Sequence, residues 1–116
     1  MKYMLLIHTD ETTDPGPGQP GFEEMMAGYG AFTQEVMGNG AFDHGDPLQG
    51  VATATTVRVR AGKTEISDGP YAETKEQLGG YYVLNCKNID EAIGYAAKIP
   101  GALRGAIEIR PIAEMG

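Results

Sequence analysis

The chain has 116 residues, 41% of them hydrophobic, which predicts one packed domain over residues 1–116 and argues against disorder. Its formal net charge of −7 would repel phosphate backbones and anionic lipids, so nucleic acid and membranes are not expected partners. Cys86 is the only cysteine, which excludes an intrachain disulfide and a four-cysteine zinc site.

The apolar run at residues 3–7 has the length and composition of a buried, central β-strand. It is too short for the apolar core of a signal peptide or for a membrane span, so we expect a cytoplasmic protein. Residues 11–20 follow and are rich in Pro, Gly and polar side chains. They predict a surface loop.

A first helix is predicted to begin near Pro20, because proline suits the first helical position, where its missing N–H costs nothing. Glu23 and Glu24 then lie near the positive end of the helix dipole. Residues 38–40 (Gly-Asn-Gly) predict the end of the helix. Hydrophobic residues recur between these points at helical spacing: Phe22, Met25, Met26, Tyr29, Phe32, Val36 and Met37.

The middle of the chain predicts a short strand at Phe42, a turn over residues 43–47, and then a β-hairpin. The hairpin comprises residues 53–60 and 64–68 around a turn at 61–63, with arginines on one face of its first strand and valines on the other. Pro70 then predicts the start of a short helix over residues 71–78, which two glycines close.

The last third predicts a strand over residues 81–86, a second helix and a final strand over residues 106–112. Asn88 and Glu91 have the spacing of a capping box at the start of the second helix. The predicted buried stripe of this helix contains four residues: Ile89, Ala92, Ile93 and Ala96.

The predicted order is that of an α+β, ferredoxin-like βαββαβ fold with an inserted β-hairpin and short helix. Both helices of this fold cover the same face of an antiparallel sheet. The other face needs a cover, which a second subunit packed sheet to sheet would supply, so we expect a homodimer.

The segment DGPYAETKEQLGGYY at residues 68–82 resembles the signature of the DGPF branch of the YCII-related family, which usually has Phe in place of Tyr71. Residues 4–7, 55–58, 99–100 and 108–111 resemble the same branch. The resemblance implies a dimeric α/β barrel. A related branch includes a dehydrochlorinase that acts on a chlorinated hydroxyhydroquinone, and DGPF members are often encoded beside extracytoplasmic-function sigma factors.

The resemblance also implies a His–Asp catalytic pair, with the histidine on the first helix. The corresponding position falls near Tyr29, and this helix contains no histidine. An unperturbed tyrosine has a pKa near 10, so Tyr29 would donate a proton and would be a poor base at neutral pH.

Other candidate residues lie in the signature and in two polar clusters. Asp68 can be a turn or cap residue, or an ionised base. Glu73, Lys75 and Glu76 can form a solvated helix face or a structural lock on the hairpin. Alternatively, Lys75 can hold an anionic ligand or pair with a carboxylate across the dimer.

The cluster of Asp43, His44 and Asp46 reads first as a turn. Alternatively, His44 is a general base that one of the two carboxylates orients, or the three side chains bind a metal ion. His8, at the end of the first strand, is a structural residue or lines a cavity between two sheets.

These observations predict a homodimer that binds a small polar or aromatic molecule. One version of this prediction is a lyase-like enzyme that needs no cofactor. The glycines form no phosphate-binding motif, so no nucleotide cofactor is expected, and we expect no metal. The alternative is a non-catalytic interaction or regulatory module that works with a sigma factor. The predicted pocket residues are His8, Tyr29, His44, Asp68, Glu73 and Lys75.

Overall fold

A computed structural model describes residues 1–114. The α-helices and strands are β1 (Lys2–Thr9), α1 (Phe22–Gly38), β2 (Phe42–Pro47), β3 (Thr55–Arg60), β4 (Lys63–Asp68), β5 (Gln77–Asn85), α2 (Ile89–Ala96) and β6 (Ala106–Pro111). Short 3-10 turns lie at Val51–Thr53 and Pro100–Leu103. Among the described residues, no helix has the length and apolar character that crossing a membrane requires.

Four strands form one antiparallel sheet in the order β2-β5-β1-β6, which confirms the ferredoxin-like fold and the central position of β1. Tyr3, Leu5 and Ile7 alternate along β1 and are buried in the core beside residues of α1 and α2. Met4, Leu6 and His8 point to the opposite face and are only half-buried. We call this second face, which the helices do not cover, the open face.

Helix α1 begins two residues later than predicted and ends at Gly38, as predicted. Gly40 follows with a φ of 73°, a left-handed conformation that glycine adopts without strain. Phe32 and Val36 are the fully buried residues of the predicted stripe, whereas Met26 and Met37 are about half exposed. The helix therefore contacts the sheet mainly through its second half.

Helix α2 has the predicted cap: the Asn88 side chain accepts a hydrogen bond from the Glu91 N–H at 3.0 Å. The Glu91 carboxylate accepts from the N–H of Lys87, one residue before the position that a standard capping box uses. The stripe is only partly as predicted, because its alanines are buried while Ile89 and Ile93 are 43% and 51% exposed. Alanine side chains are small, so this face lets α2 lie close to the sheet.

The predicted turn at residues 43–47 is wrong, because these residues belong to β2 and pair with β5. A bulge between Phe42 and His44 shifts the register, and Gly45 then lies so close to β5 that a Cβ there would be 2.7 Å from the Tyr81 carbonyl oxygen. Pro47 is tolerated because β2 is an edge strand. Glycine and proline here permit strand pairing, whereas the sequence alone reads them as turn residues.

The predicted short helix over residues 71–78 is also wrong, since residues 71–76 are irregular and Gln77 begins β5. The Gln77 side-chain amide donates to the carbonyl oxygens of Ala72 and Thr74, both at 2.9 Å. The Thr74 hydroxyl donates to the carbonyl oxygen of Glu76. Side chains thus take the carbonyl groups that a helix would bond, and the segment stays a loop.

The hairpin of β3 and β4 forms a separate two-stranded sheet, which we call the arm (residues 55–68). Its two-residue loop, Ala61 and Gly62, has positive φ at both positions, as a tight hairpin turn requires. The valines and arginines of β3 lie on opposite faces, as predicted. The chain is flat, 48 × 46 × 18 Å, and its radius of gyration of 16.0 Å exceeds the roughly 13 Å of a compact chain of this length.

Two glycine substitutions test this packing. A Cβ at Gly105 would lie 2.0 Å from the carbonyl oxygen of His8 in β1, so Gly105→Ala should destabilise the protein by about 1–3 kcal/mol. Gly94 in α2 is exposed and has open space around it, so Gly94→Ala should stabilise by roughly 0.5–1 kcal/mol. Urea unfolding measures both, and equal effects would contradict the described approach of residue 105 to β1.

Candidate functional site

A pocket of about 480 Å³ lies between α1 and the sheet, next to β2 and β5, and we call it the helix-side pocket. Met25 and Met26 of α1 form one wall, and Phe42 and Tyr82 of the sheet form another. Gly45 and Gly80 lie where these two strands run close together, so no side chain fills that part of the pocket. The volume and the apolar, aromatic walls suit a ligand with a single ring.

Asp14 brings a carboxylate into this pocket from the loop between β1 and α1. Backbone N–H groups of Thr13 and Asp14 donate to the Asp10 carbonyl oxygen, both at 3.1 Å, which folds the loop into a turn. Pro15 next to it is buried, so this part of the predicted surface loop packs against the rest of the domain. We call the described residues outside the arm the body. Oδ1 of Asp14 is buried and has no hydrogen-bond partner among the described residues. A buried, unpaired carboxylate oxygen is costly, and such a group in a native protein calls for a functional explanation.

Tyr29, one of the predicted pocket residues, lines this pocket from α1. The pocket lies on the helix side of the sheet, whereas the sequence predicts a cavity between two sheets, on the opposite face. Burial raises the pKa of the Tyr29 phenol, and the nearby Asp14 carboxylate raises it further, while the backbone N–H of Gly101 opposes the rise. The phenol therefore stays neutral at physiological pH and can only donate its proton or accept a hydrogen bond.

Two further hydroxyl groups lie in the pocket and bond each other. The Thr33 hydroxyl donates to the Tyr29 carbonyl oxygen at 2.9 Å and lies 3.0 Å from the Tyr82 hydroxyl. Because the proton of Thr33 is already used, the Tyr82 hydroxyl must donate to Thr33. The Tyr82 oxygen then keeps its lone pairs as an acceptor at the pocket wall.

A second, larger cavity of about 1400 Å³ lies on the other side of the sheet, between the open face and the segments that carry the arm. His8, Lys75 and Arg104 line this arm-side cleft. His8 Nε2 lies 3.1 Å from a carboxylate oxygen of Glu108 on the neighbouring strand. His8 therefore lies on the open face and is partnered within the sheet.

His44 lies on β2, at the edge of the open face. Of the cavities that the described residues form, it lines neither the helix-side pocket nor the larger one. Its Nδ1 is 2.7 Å from Asp43, and this hydrogen bond lowers the pKa of the Asp43 carboxyl, with the charge of Lys2 adding to the effect. Of the two carboxylates that the sequence offers as partners of His44, Asp43 is the one within hydrogen-bond distance. Asp46 instead accepts a hydrogen bond from the Tyr81 hydroxyl at 3.1 Å. Within residues 1–114, no three His, Cys, Asp or Glu side chains lie together as a metal site would require.

The six residues predicted for one pocket do not share one. Tyr29 lines the helix-side pocket, and His8 and Lys75 line the arm-side cleft. Asp68 and Glu73 are exposed and, among the described residues, line neither cavity. Since the helix predicted after Asp68 is replaced by a loop, the helix-capping interpretation of that residue is wrong.

Sequence reasoning missed Asp14, Thr33 and Tyr82. Thr33 could have been found, because it lies four residues after Tyr29 and therefore on the same face of α1. Asp14 carries no such signal, since its loop has no periodicity and its position depends on how the loop folds back.

A family model for the YCII-related domain matches residues 1–116. The chain belongs to the YCII-related family. An uncharacterised protein of Rhizobium meliloti (strain 1021) is 34% identical over 115 residues, which cover 97% of this chain and 93% of that protein. The DGPF branch within the family remains a prediction from residues 68–82.

A solved structure with a similar fold is 5-chloro-2-hydroxyhydroquinone dehydrochlorinase from Burkholderia phenoliruptrix AC1100, in complex with 2,5-dihydroxybenzoquinone. The match has a TM-score of 0.52 at 13% identity and covers 99% of this chain and 96% of the dehydrochlorinase. At this identity the likeness shows the fold alone, and it agrees with the ferredoxin-like sheet described above.

The raised phenol pKa values predict how stability depends on pH. Burial raises the pKa of Tyr29, and the hydrogen bond to Asp46 raises that of Tyr81. Above about pH 10 the unfolded chain loses these protons first, so the free energy of unfolding should fall as pH rises through the folded pKa values.

Urea unfolding between about pH 9 and pH 11 measures this slope. Tyr29→Phe and Tyr81→Phe together should make it shallower. Tyr71→Phe removes a phenol that is 79% exposed and gives the baseline for losing one tyrosine. A slope that the double variant leaves unchanged would contradict the described environments.

Proposed function

We propose that this chain is a small-molecule-binding homodimer whose ligand site is the helix-side pocket, and that it eliminates a small anion from a hydroxylated ring without a cofactor. The observation that carries the proposal is the buried, unpaired Oδ1 of Asp14 in an aromatic pocket. A ligand hydroxyl would supply the missing donor. The dehydrochlorinase of the same fold, which was solved with a dihydroxylated ring, supports this class of ligand.

The residues of the pocket suit such an elimination. Loss of HX from a hydroxylated ring removes one proton and one anion, so it needs a proton acceptor and a donor for the developing charge, and no electron carrier. The step balances from the keto tautomer of the ring, in which the carbon that bears X is tetrahedral. Asp14 can accept the proton of a ring hydroxyl; the O–H electron pair becomes a C=O bond, the ring double bonds shift, and the C–X electron pair leaves with X. Tyr29 stays protonated and can donate a hydrogen bond to the ring oxygen on which negative charge develops. The apolar walls lower the effective dielectric constant around the ligand, which strengthens both interactions.

A pair of matched ligands tests the site. Hydroquinone carries two O–H donors, and 1,4-dimethoxybenzene has the same ring without them. Hydroquinone should bind at least about tenfold more tightly, because a hydrogen bond to a charged group contributes about 1.5–3 kcal/mol. Titrations followed by NMR measure both dissociation constants.

Asp14→Asn should remove most of the preference for hydroquinone, and Tyr29→Phe should weaken hydroquinone binding. Neither should lower the melting temperature by much, since Asp14→Asn removes no hydrogen bond from the buried Oδ1 position. Lys75→Gln and Glu73→Gln are the controls. If Lys75→Gln abolishes binding while Asp14→Asn leaves it unchanged, the ligand occupies the arm-side cleft and the proposed site is wrong.

The homodimer part of the proposal is supported by the open face. Met4 and Leu6 of β1 and Leu78 of β5 form an apolar centre there, and each remains partly exposed. Glu108, Arg110 and Asp46 surround it with charge. An apolar centre with a polar rim is the pattern of a protein interface.

Leu6→Lys should therefore convert a dimer into a monomer in sedimentation-velocity experiments, because it places a charge in the middle of the apolar centre. Leu103→Lys is the matched control, since Leu103 is 91% exposed and lies outside the open face. Wild-type protein that sediments as a monomer at tens of micromolar would contradict the dimer, while the ligand titration would be judged separately.

A further inference from the structure

One face of the arm is apolar and exposed. Val57, Val59 and Ile66 share this face and are 58%, 60% and 68% exposed. Thr55 and Thr64 share it too, and Asp68 at its base is the single charged residue among the paired positions. An exposed apolar stripe of this kind marks a contact surface.

Within residues 1–114, the rest of the chain does not cover this stripe. The two strands pair there with each other alone, and every residue of β4 is exposed. A two-stranded hairpin by itself is at best marginally stable in water. The described arm therefore needs packing from another surface to hold its shape.

The base of the arm lies on the side of the sheet where a second copy is expected. The arm-side cleft is lined by Ala54 and Pro70, which flank the arm, together with His8, Leu78 and Glu108 of the open face. A copy that packs on the open face would therefore lie within reach of the arm. The cleft is also larger than the pockets that usually hold small molecules, which suits a protein surface.

Charge points to the same occupant. The arm has three basic residues and two acidic ones, a net charge of +1, while the whole chain carries −7. Arg58 lies against the Tyr71 ring at 5.4 Å. Arg60 and Lys63 pair at the end of the hairpin on the face opposite the valines, and their long side chains can reach past the turn. Two bodies of −8 repel each other, and a basic arm that crosses to an acidic body reduces this repulsion.

We propose that the arm crosses onto a second copy of this chain, with its apolar face packed on the partner and its basic tip beside acidic side chains of the partner's body. By two-fold symmetry the partner's arm makes the same contact in return. The contact rests on the homodimer part of the proposed function and extends it, since sheet-to-sheet packing alone would leave both arms free.

The first test replaces the apolar face while keeping the hairpin. Threonine has nearly the shape of valine and favours strands, so V57T/V59T/I66T should leave the arm folded and remove its apolar surface. The dimer dissociation constant, measured by sedimentation equilibrium, should rise at least tenfold. Ile93→Thr, at a residue 51% exposed on α2, is the matched control and should change it less than twofold.

The second test locates the arm in the wild-type dimer. Equal amounts of ¹⁴N- and ¹⁵N-labelled protein are mixed and treated with a carbodiimide, which joins lysine amines to carboxylates in contact. Lys63 at the arm tip should form mixed-isotope cross-links to carboxylates of the body. Cross-links of Lys63 within single copies only would overturn the proposal.

The remaining outcomes separate this contact from the dimer itself. A dimer that Leu6→Lys breaks and the arm variant leaves intact overturns the arm contact and keeps sheet-to-sheet packing. A monomeric wild type overturns both. If the arm variant dimerises normally but loses a co-purifying protein, a different protein covers the arm, and the proposal is wrong.

Discussion

The structure depends on one constraint: both helices cover the same face of a four-stranded antiparallel sheet. Side chains of a strand alternate between the two faces, so each strand divides its residues between the core and the open face. Ile7 and His8 are neighbours in the chain yet belong to opposite sides. For this reason Tyr29 on α1 and Lys75 beside the open face line two different cavities, although the sequence predicts one pocket.

Elements with a signal of their own could be predicted from the sequence. The apolar run of β1, the end of α1, the Asn88 cap and the alternating hairpin each contain the residues that decide their structure. The predictions are wrong where pairing with a strand that is distant in sequence determines the local structure. The sequence predicts a helix at Gln77 and Leu78, but these residues pair with Thr9 and His8 of β1, and this pairing outweighs the local preference.

The helix-side pocket shows the same division between local and distant causes. Tyr29 and Thr33 lie four residues apart on α1, so their common face follows from helical geometry. Asp14 reaches the pocket only because its loop folds back against the body, with Pro15 buried beside it. A loop of Pro, Gly and Thr residues reads as solvent-exposed from composition, and composition carries no information on such a return.

The chain described alone leaves two requirements unmet, and they differ in scale. Asp14 Oδ1 lacks one hydrogen-bond donor inside a pocket of about 480 Å³, which a molecule with one ring can satisfy. The arm exposes a stripe of three large apolar side chains on a hairpin that nothing in the described body covers, and only a protein surface is broad enough for that. Because the two requirements lie on opposite sides of the sheet, the proposed ligand binding and the proposed association can be altered by separate substitutions. The proposed chemistry at the helix-side pocket then depends on the proposed second copy only through the positions of the sheet and its loops.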